Sequence, residues 1–248
     1  MDKIIKITAG IFTVILVLFV AAISYGMYID TQYKNSLAGT YTYNCTIATN
    51  SVLSNITLFL PVPADQNGNS PVVWEISSRN VTGVPHDWTL SLYDTGKETF
   101  LKVSAPHIGQ PAINGSSGAT SVTFAVNISS HAIIDTRAPV ENAAVFRPVR
   151  DIRGTTCPAS NATTGSTPEC YQYLTSTYAD YTASPMASVT ISASLDATNS
   201  WTIFQQPASN SYHNTIYVYM QGENHGWVTT RGELESGIGT YQVPGLTL

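Results

Sequence analysis

Residue types that carry out acid–base or nucleophilic chemistry are scattered along this chain of 248 residues. The Gly-x-Ser-x-Gly pattern that presents a hydrolytic serine is absent, and its nearest look-alike, Asn114-Gly115-Ser116-Ser117-Gly118, is typical of a loop. The histidines form neither His-x-His nor His-Glu-x-x-His, the spacings that direct two imidazoles at one zinc ion. They are His86, His107, His131, His213 and His225. The sequence therefore predicts no catalytic residue, no metal site and no cofactor.

Charged side chains offer two further candidate binding sites, one for a cation and one for an anionic partner. Glu233 and Glu235 stand two positions apart and would share one face of a strand, so a calcium site built from turns remains an alternative. Arg147, Arg150 and Arg153 recur at three-residue spacing, and in an extended segment they could lie on one side and bind an acidic glycan or a partner carboxylate. Internal ion pairing and plain solvation are the alternatives for the arginines.

Asn-x-Ser/Thr triplets, the acceptors of N-linked sugars, occur six times. They begin at Asn44, Asn55, Asn80, Asn114, Asn127 and Asn161. All six follow the apolar segment near the start of the chain, which would put them on one side of a membrane. Accidental triplets in threonine-rich strands are the alternative for any single site.

Side-chain alternation predicts which way three of these acceptors face, because successive residues of a strand point to opposite faces. Around Asn44 the less polar side chains occupy the odd positions, so Asn44 shares the other face with threonines. The same parity separates Asn55 from Ile56 and Leu58, and Asn127 from its apolar neighbours. We expect all three acceptors on the solvent side.

The three cysteines predict one disulfide. Cys157 and Cys170 enclose a polar segment with no metal-ligand spacing, and a bridge between them would remove about 3 kcal/mol of unfolded-state freedom by loop length. Cys45 lies on the apolar face of its strand, which predicts a buried thiol. Intermolecular pairing, or exchange with the other two cysteines, are the rivals for Cys45.

An uncharged run of 23 residues, 7–29, predicts a transmembrane helix. At about 1.5 Å per residue it reaches about 35 Å, enough to cross a hydrocarbon core of about 30 Å. Lys3 and Lys6 precede the run and Asp30 follows it, so the positive bias predicts that residues 1–6 are cytoplasmic and that the chain after the helix is extracellular. We therefore expect the protein to be located in the cell membrane, which its chain crosses once.

Two other interpretations of this run stay open. A cleaved secretory signal would have a shorter apolar region with a small-x-small site after it, whereas Ala22-Ile23-Ser24 lies inside the run. A prepilin-type leader cut after Gly10 would leave an apolar helix for assembly in the core of a filament.

After a linker at 30–40, residues 41–248 predict an extracytoplasmic antiparallel β-sandwich of the Ig-like or jelly-roll-like kind, as one domain or two packed β subdomains. Short alternating runs recur between turn residues. Predicted strands include the runs that begin at Val72, Asp87, Glu98, Ser188, Trp201 and Asn214, with a hairpin turn at Asp94-Thr95-Gly96-Lys97.

One segment predicts a short amphipathic helix that ends before Pro185. Thr167, Pro168 and Glu169 resemble a helix start. The apolar and aromatic residues that follow recur at helical spacing, and they are Tyr171, Leu174, Tyr178 and Tyr181.

The segments NSVLSNITLFLPVP, WTIF, NTIYVY and NHGWVTTRGELESGIGTYQV resemble those of uncharacterised membrane-anchored surface proteins of archaea, methanogens in particular. Trp201, Gly226 and Trp227 carry the resemblance, which covers about half of the chain. It implies a cell-surface location and a Ser/Thr-rich β domain, and it implies no activity.

Composition narrows the function classes. Charged residues make up 11% of the chain and the formal net charge is −5, so a nucleic-acid partner, which requires clustered Lys and Arg, is not expected.

The leading hypothesis is a membrane-anchored cell-envelope protein whose glycosylated β domain has a structural, adhesive or recognition role without catalysis. Its expected partners are the membrane, envelope proteins or glycans, and copies of itself. The alternatives are a pilin-like filament subunit and an anchored hydrolase or solute-binding domain with a site assembled from distant residues.

Overall fold

One long helix followed by antiparallel strands makes up the chain. The computed structural model describes residues 2–109, 119–130, 132–142, 144–157, 168–243 and 246–247. The helices are α1 (Asp2–Ser36), α2 (Val73–Ser77) and α3 (Pro139–Asn142). The strands are β1 (Ala38–Thr49), β2 (Leu53–Ala64), β3 (Thr89–Asp94), β4 (Thr99–Ile108), β5 (Thr120–Ser130), β6 (Val145–Arg147), β7 (Arg150–Thr155), β8 (Glu169–Ala183), β9 (Ser188–Ile203), β10 (Gln206–Gln221), β11 (Asn224–Gly239), β12 (Gln242–Val243) and β13 (Leu246–Thr247).

Helix α1 is long and apolar enough to cross a membrane by length and composition, and it is the one such helix among the described residues. Its apolar side chains are exposed along most of its length; Phe19, for example, is 63% exposed. The hydroxyls of Thr13 and Thr31 donate to the carbonyl four residues earlier, so their polar groups are satisfied within the helix. The helix continues to Ser36, so residues 30–36 of the predicted linker are helical and β1 follows almost at once.

Eleven strands form one antiparallel sheet. Their order is β3-β4-β2-β8-β11-β10-β9-β1-β5, with β6 paired to β2 and β7 paired to β8. The mainly-β antiparallel fold with an N-terminal helix is therefore confirmed. One sheet that curls on itself takes the place of the two facing sheets of a sandwich.

The curl brings strands from distant places in the sheet order into contact. The ring of Tyr43 on β1 lies 6.3 Å from that of Phe146 on β6, and the Tyr212 hydroxyl on β10 donates to the carbonyl of Ala144 at 3.3 Å. The chain between β2 and β3 bridges the two edge strands, because α2 packs against both β3 and β5 and Thr82 forms a β-bridge with Ala125. The curled sheet thus encloses a single main core.

Strict alternation of buried and exposed side chains explains why these segments form strands. On β9 every second residue from Val189 to Trp201 is buried, and the buried positions of β10 alternate in the same way. Tyr43, Cys45 and Ile47 of β1 also face the core, as their parity predicts. The inner face therefore collects the apolar side chains of nearly all strands into one cluster.

Two predicted elements are wrong. Residues 169–183 form strand β8 instead of an amphipathic helix. The tyrosines at helical spacing point to opposite faces of the sheet, since Tyr181 is buried and Tyr178 faces outward. The run that begins at Val72, predicted as a strand, is the one-turn helix α2, of which Ile76 is the buried residue.

The predicted hairpin turn between β3 and β4 is confirmed. Thr95 N donates to the carbonyl of Glu98 at 3.0 Å, and Gly96 N donates to the Asp94 carboxylate at 2.7 Å. Gly96 has a φ of +80°, a conformation that glycine adopts without steric cost. The side chain of Asp94 and the backbone freedom of Gly96 therefore specify this turn locally.

Candidate functional site

The four acceptor asparagines within the described residues lie outside the core. Asn44 is half-buried on the outer face of β1, opposite Ala125 and Ser194 of its two neighbouring strands. Asn55 is exposed with a φ of +55°, at a register shift between β2 and β8, and Asn127 is exposed on edge strand β5. The predicted outward parity of these three is confirmed.

Asn80 is exposed after α2, and its amide donates to the Glu75 carboxylate at 2.8 Å. Asn114 and Asn161 lie outside the described residues, as does His131.

The three arginines divide into two places. Arg147 Nε donates to the carbonyl of Ala64 at 2.9 Å, beside the turn after β2. Arg150 and Arg153 lie on β7, opposite Leu174 and Gln172, and a register shift between them brings both to the outer face. The structure therefore groups Arg150 with Arg153 and leaves Arg147 apart, and the contact with an anionic partner stays a prediction for the pair.

The cysteines are arranged as the sequence predicts. Cys157 is bonded to Cys170, with 5.1 Å between their Cα atoms. The bond links the residues that directly follow β7 to the start of β8. Cys45 is a buried free thiol in the described chain. Burial raises the pKa of Cys45 to about 12, which keeps it as an unreactive thiol.

Two histidines pair with aspartates across neighbouring strands. His213 Nδ1 lies 2.5 Å from Asp196, and His225 Nδ1 lies 2.6 Å from Asp180. The hydrogen bond of the ring to the Asp196 carboxylate raises the pKa of His213 above its usual value, against the opposing effect of desolvation. His213 also lines a groove of about 320 Å³ with Glu235.

The groove contains part of what an acid–base site requires. Its lining includes His213, Glu233 and Glu235, which come from the neighbouring strands β10 and β11. The imidazole of His213 is hydrogen-bonded to the Asp196 carboxylate, whereas a hydrolytic dyad has the histidine in hydrogen-bond reach of a nucleophile. Among the described residues, no group of three or more His, Cys, Asp or Glu side chains could hold a metal ion.

A cluster of aromatic side chains lies on the outer face of the sheet, and we call it the aromatic patch. It comprises Phe59, Tyr93, Phe100, Tyr178 and Trp227. Its neighbouring ring centroids are 4.7 to 5.5 Å apart, within the range for attractive aromatic pairs. Trp227 is 55% exposed and Tyr93 is 45% exposed, so these two rings are open to solvent, whereas Phe100 is buried.

Sequence reasoning missed the patch because its members come from five strands that are far apart in the chain. Register brings them together, since Trp227 is opposite Tyr178 and Tyr178 is opposite Phe59. The available signal was Phe59, an apolar residue on the polar side of its strand. Lys102 Nζ lies 5.9 Å from the Phe59 centroid and gives the patch a cationic edge.

The aromatic patch and the end of α1 are at opposite ends of the sheet. Trp201 and Ile203, at the end of β9, form a cluster with Ile29 and Tyr33 of α1. The other end of β9 follows the turn at Met186, and the β10–β11 turn is there too, because Gly222 N donates to Ala187. At about 3.3 Å per residue, the 16 residues of β9 separate its ends by about 50 Å.

No protein-family model, curated protein or solved structure matches the chain.

Proposed function

We propose that the chain is a single-pass membrane protein of the cell envelope, with the residues before α1 in the cytoplasm and the β domain outside the cell. The observation that carries the proposal is an exposed apolar helix that ends directly on one end of a β domain. In water such a helix would leave most of its apolar surface uncovered, whereas a bilayer would cover it. Lys3 and Lys6 before the apolar run support the orientation.

The role that we propose for the β domain is recognition or adhesion. The aromatic patch supports this role because Trp227 lies three residues into β11, near the end of the sheet that is far from the anchor. There the patch would lie far from the membrane, within reach of other envelope components. Aromatic side chains that are open to solvent are typical of protein and glycan contacts. The proposal assigns no catalytic step.

Membrane extraction of the full-length chain tests the anchor. We expect the protein in the membrane pellet, resistant to alkaline carbonate and released by detergent. Replacing Leu16 and Val17 with arginine places two charges near the helix centre, each costing about 2.5–3.5 kcal/mol on insertion, and should move the protein into the soluble fraction. The matched control replaces Thr89 and Ser91, two exposed residues of edge strand β3, with arginine. Recovery of the wild-type chain in the cytosol would overturn the proposal.

Glycosylation and orientation are tested on the same membranes. Mass spectrometry of peptides should find sugar on the exposed acceptors Asn55, Asn80 and Asn127, and less on Asn44, which sits between two neighbouring strands. A protease added to intact cells should remove the β domain. A β domain that stays protected until the cells are lysed would reverse the orientation.

A filament subunit is the second candidate, and one observation favours it. The end of α1 is held against the sheet by ring contacts and hydrogen bonds, among them Thr202 N to Ser36 Oγ at 2.9 Å. A filament with a helical core requires such a fixed angle between helix and domain, whereas a simple tether does not. N-terminal sequencing of the mature protein separates the two candidates, since loss of the first ten residues supports the filament.

A further inference from the structure

The tip of the β9–β10 hairpin lies beside the anchor helix. Phe204 and Gln205 form this tip with φ values of +49° and +64°, as in the two-residue turns that match strand twist. The ring of Phe204 is 6.0 Å from the ring of Tyr25 and 5.8 Å from that of Tyr28. The tip is therefore level with residues that come before Ile29, inside the uncharged run.

The length of the helix places these rings at the edge of a bilayer. From Ile7 to Tyr25 the helix has 19 residues, which span about 28 Å at about 1.5 Å each. The hydrocarbon core is about 30 Å thick, so Tyr25 falls at its outer boundary when the run begins at the inner one. Tyrosines concentrate at this depth in membrane proteins because the ring is apolar and the hydroxyl is polar.

Polar groups lie on the ectodomain side of the rings. Gln32 donates to the Tyr28 hydroxyl at 2.6 Å and accepts a hydrogen bond from Phe204 N at 2.9 Å. Asp30 and Lys34 form an exposed ion pair at 2.7 Å on the same stretch of helix. Apolar rings on one side and hydrogen-bonded polar groups on the other match the change from acyl chains to headgroups.

We propose that the β9–β10 hairpin tip is a second membrane contact, in which Phe204 enters the headgroup layer of the outer leaflet beside Tyr25 and Tyr28. The inference rests on the proposed function, because α1 must span the bilayer. The ring of Phe204 is 46% exposed although three aromatic residues meet there, so part of it is left for lipid. Two contacts, the helix and the tip, then hold the sheet at one orientation to the membrane.

Depth measurements on the full-length chain test this contact. Single cysteines that replace Phe204, Val20 and Met186 carry an environment-sensitive fluorophore, and the protein is reconstituted into phosphatidylcholine–phosphatidylglycerol vesicles. Val20 is in the middle of the helix and marks lipid, whereas Met186 is 77% exposed at the far end of the sheet and marks water. Buried Cys45, with its raised pKa, stays unlabelled. A label at Gln205, the other residue of the same turn, replaces the one at Phe204 if that variant does not fold.

We expect the label at Phe204 to emit at a shorter wavelength than the label at Met186. A nitroxide near the lipid headgroups should quench the Phe204 label more strongly than a nitroxide deep in the acyl chains. Equal quenching by aqueous iodide at Phe204 and Met186, with Val20 still quenched from the deep lipid, would overturn the second contact and leave the anchor in place. A Phe204 label reached by neither kind of quencher would mean that another protein chain covers the tip, which also overturns it. A Val20 label quenched by iodide would overturn the anchor itself.

Discussion

The ring of Tyr33, near the end of α1, meets the ring of Trp201 on β9 nearly edge to face, with 5.6 Å between centroids and 70° between planes. Both side chains are buried, although the rest of the helix is largely exposed. Ile29 and Ile203 complete this cluster, which is separate from the main core of the sheet. The contact explains how a helix with no packing partner over most of its length can still have a defined direction relative to the β domain.

Replacing Trp201 with alanine should release the end of the helix without unfolding the sheet. Truncating a buried aromatic side chain costs about 3–5 kcal/mol, and here the loss falls on the junction because the cluster is separate from the main core. Amides of residues 33–37 should exchange about 100-fold faster or more, since about 3 kcal/mol corresponds to about that factor. Hydrogen exchange in detergent micelles measures this change.

The control for this prediction is Trp74→Ala. Trp74 is 73% exposed on α2, so its loss should leave exchange at residues 33–37 unchanged. Equal protection in the wild type and in Trp201→Ala would contradict a docked helix.

Gly232→Ala should destabilise the sheet because Tyr173 occupies the space beside Gly232. The two residues are opposite each other on β11 and β8, and a Cβ at position 232 would overlap the Tyr173 ring. Tyr173 cannot easily move, because it is buried and its hydroxyl donates to Asn214 at 2.8 Å. Overpacking of this kind costs about 1–3 kcal/mol, which urea unfolding should reveal as a lower midpoint.

A second strand glycine gives the matched comparison. Gly154 lies on β7 with nothing near the position of a Cβ, so Gly154→Ala should be close to neutral. Tyr173→Leu in the Gly232→Ala background should cost less than the sum of the two single changes, because it removes the clash. Additive costs would show that the ring is not what excludes a side chain at Gly232.

The sequence predicts which face of a strand a side chain occupies better than it predicts whether a segment is a helix or a strand. The parity of the strands around Asn44 and Asn127 is correct because period-2 alternation is local and one face is buried. The helix predicted to start at Thr167–Pro168 and to end before Pro185 is wrong because its residues satisfy two periods at once. Tyr173, Thr175 and Thr177 alternate inward, and pairing with β2 and β11 on both sides decides for the strand.

The sites that the sequence does not reveal depend on register between distant strands. Trp227 and Phe59 meet through Tyr178, and Trp201 meets Tyr33, yet nothing local to these residues indicates the pairing. A one-residue shift would place each partner on the opposite face. The disulfide was predictable because its two cysteines enclose a short segment.

Reduction of the Cys157–Cys170 bond should lower stability without exposing Cys45. The loop that it closes has a sequence separation of 13, for which chain entropy predicts about 3 kcal/mol. Urea unfolding of the double variant Cys157→Ser, Cys170→Ser should give a correspondingly lower free energy of unfolding than the wild type. Loss of less than about 0.5 kcal/mol would mean that the bond does not constrain the unfolded chain.

Thiol titration supplies the control for the disulfide. In the folded wild type, Cys45 should react slowly, because burial raises its pKa to about 12, and it should react fully after denaturation. Rapid reaction of one thiol in the native protein would contradict a buried Cys45 paired with no other cysteine.

His213 should make stability depend on pH in a defined direction. The hydrogen bond of the ring to the Asp196 carboxylate raises the pKa of His213, so the folded protein holds this proton more tightly than the unfolded chain does. The stabilisation is complete below the unfolded pKa of about 6.5 and is lost as the pH rises through the higher folded pKa of His213. Both side chains are nearly half exposed, which limits the effect to a few tenths up to about 1 kcal/mol.

Comparing His213→Gln with the wild type isolates the pH-dependent stabilisation that His213 contributes. Glu235, opposite His213 on β11, also favours the protonated ring, and it remains in the variant. We expect the difference in unfolding free energy between the two proteins to be larger at pH 5.5 than at pH 8.5, and NMR titration should give His213 a pKa above the usual value. A His213 pKa below about 6.5 would mean that desolvation outweighs the Asp196 hydrogen bond, and the sign of the pH dependence would then reverse.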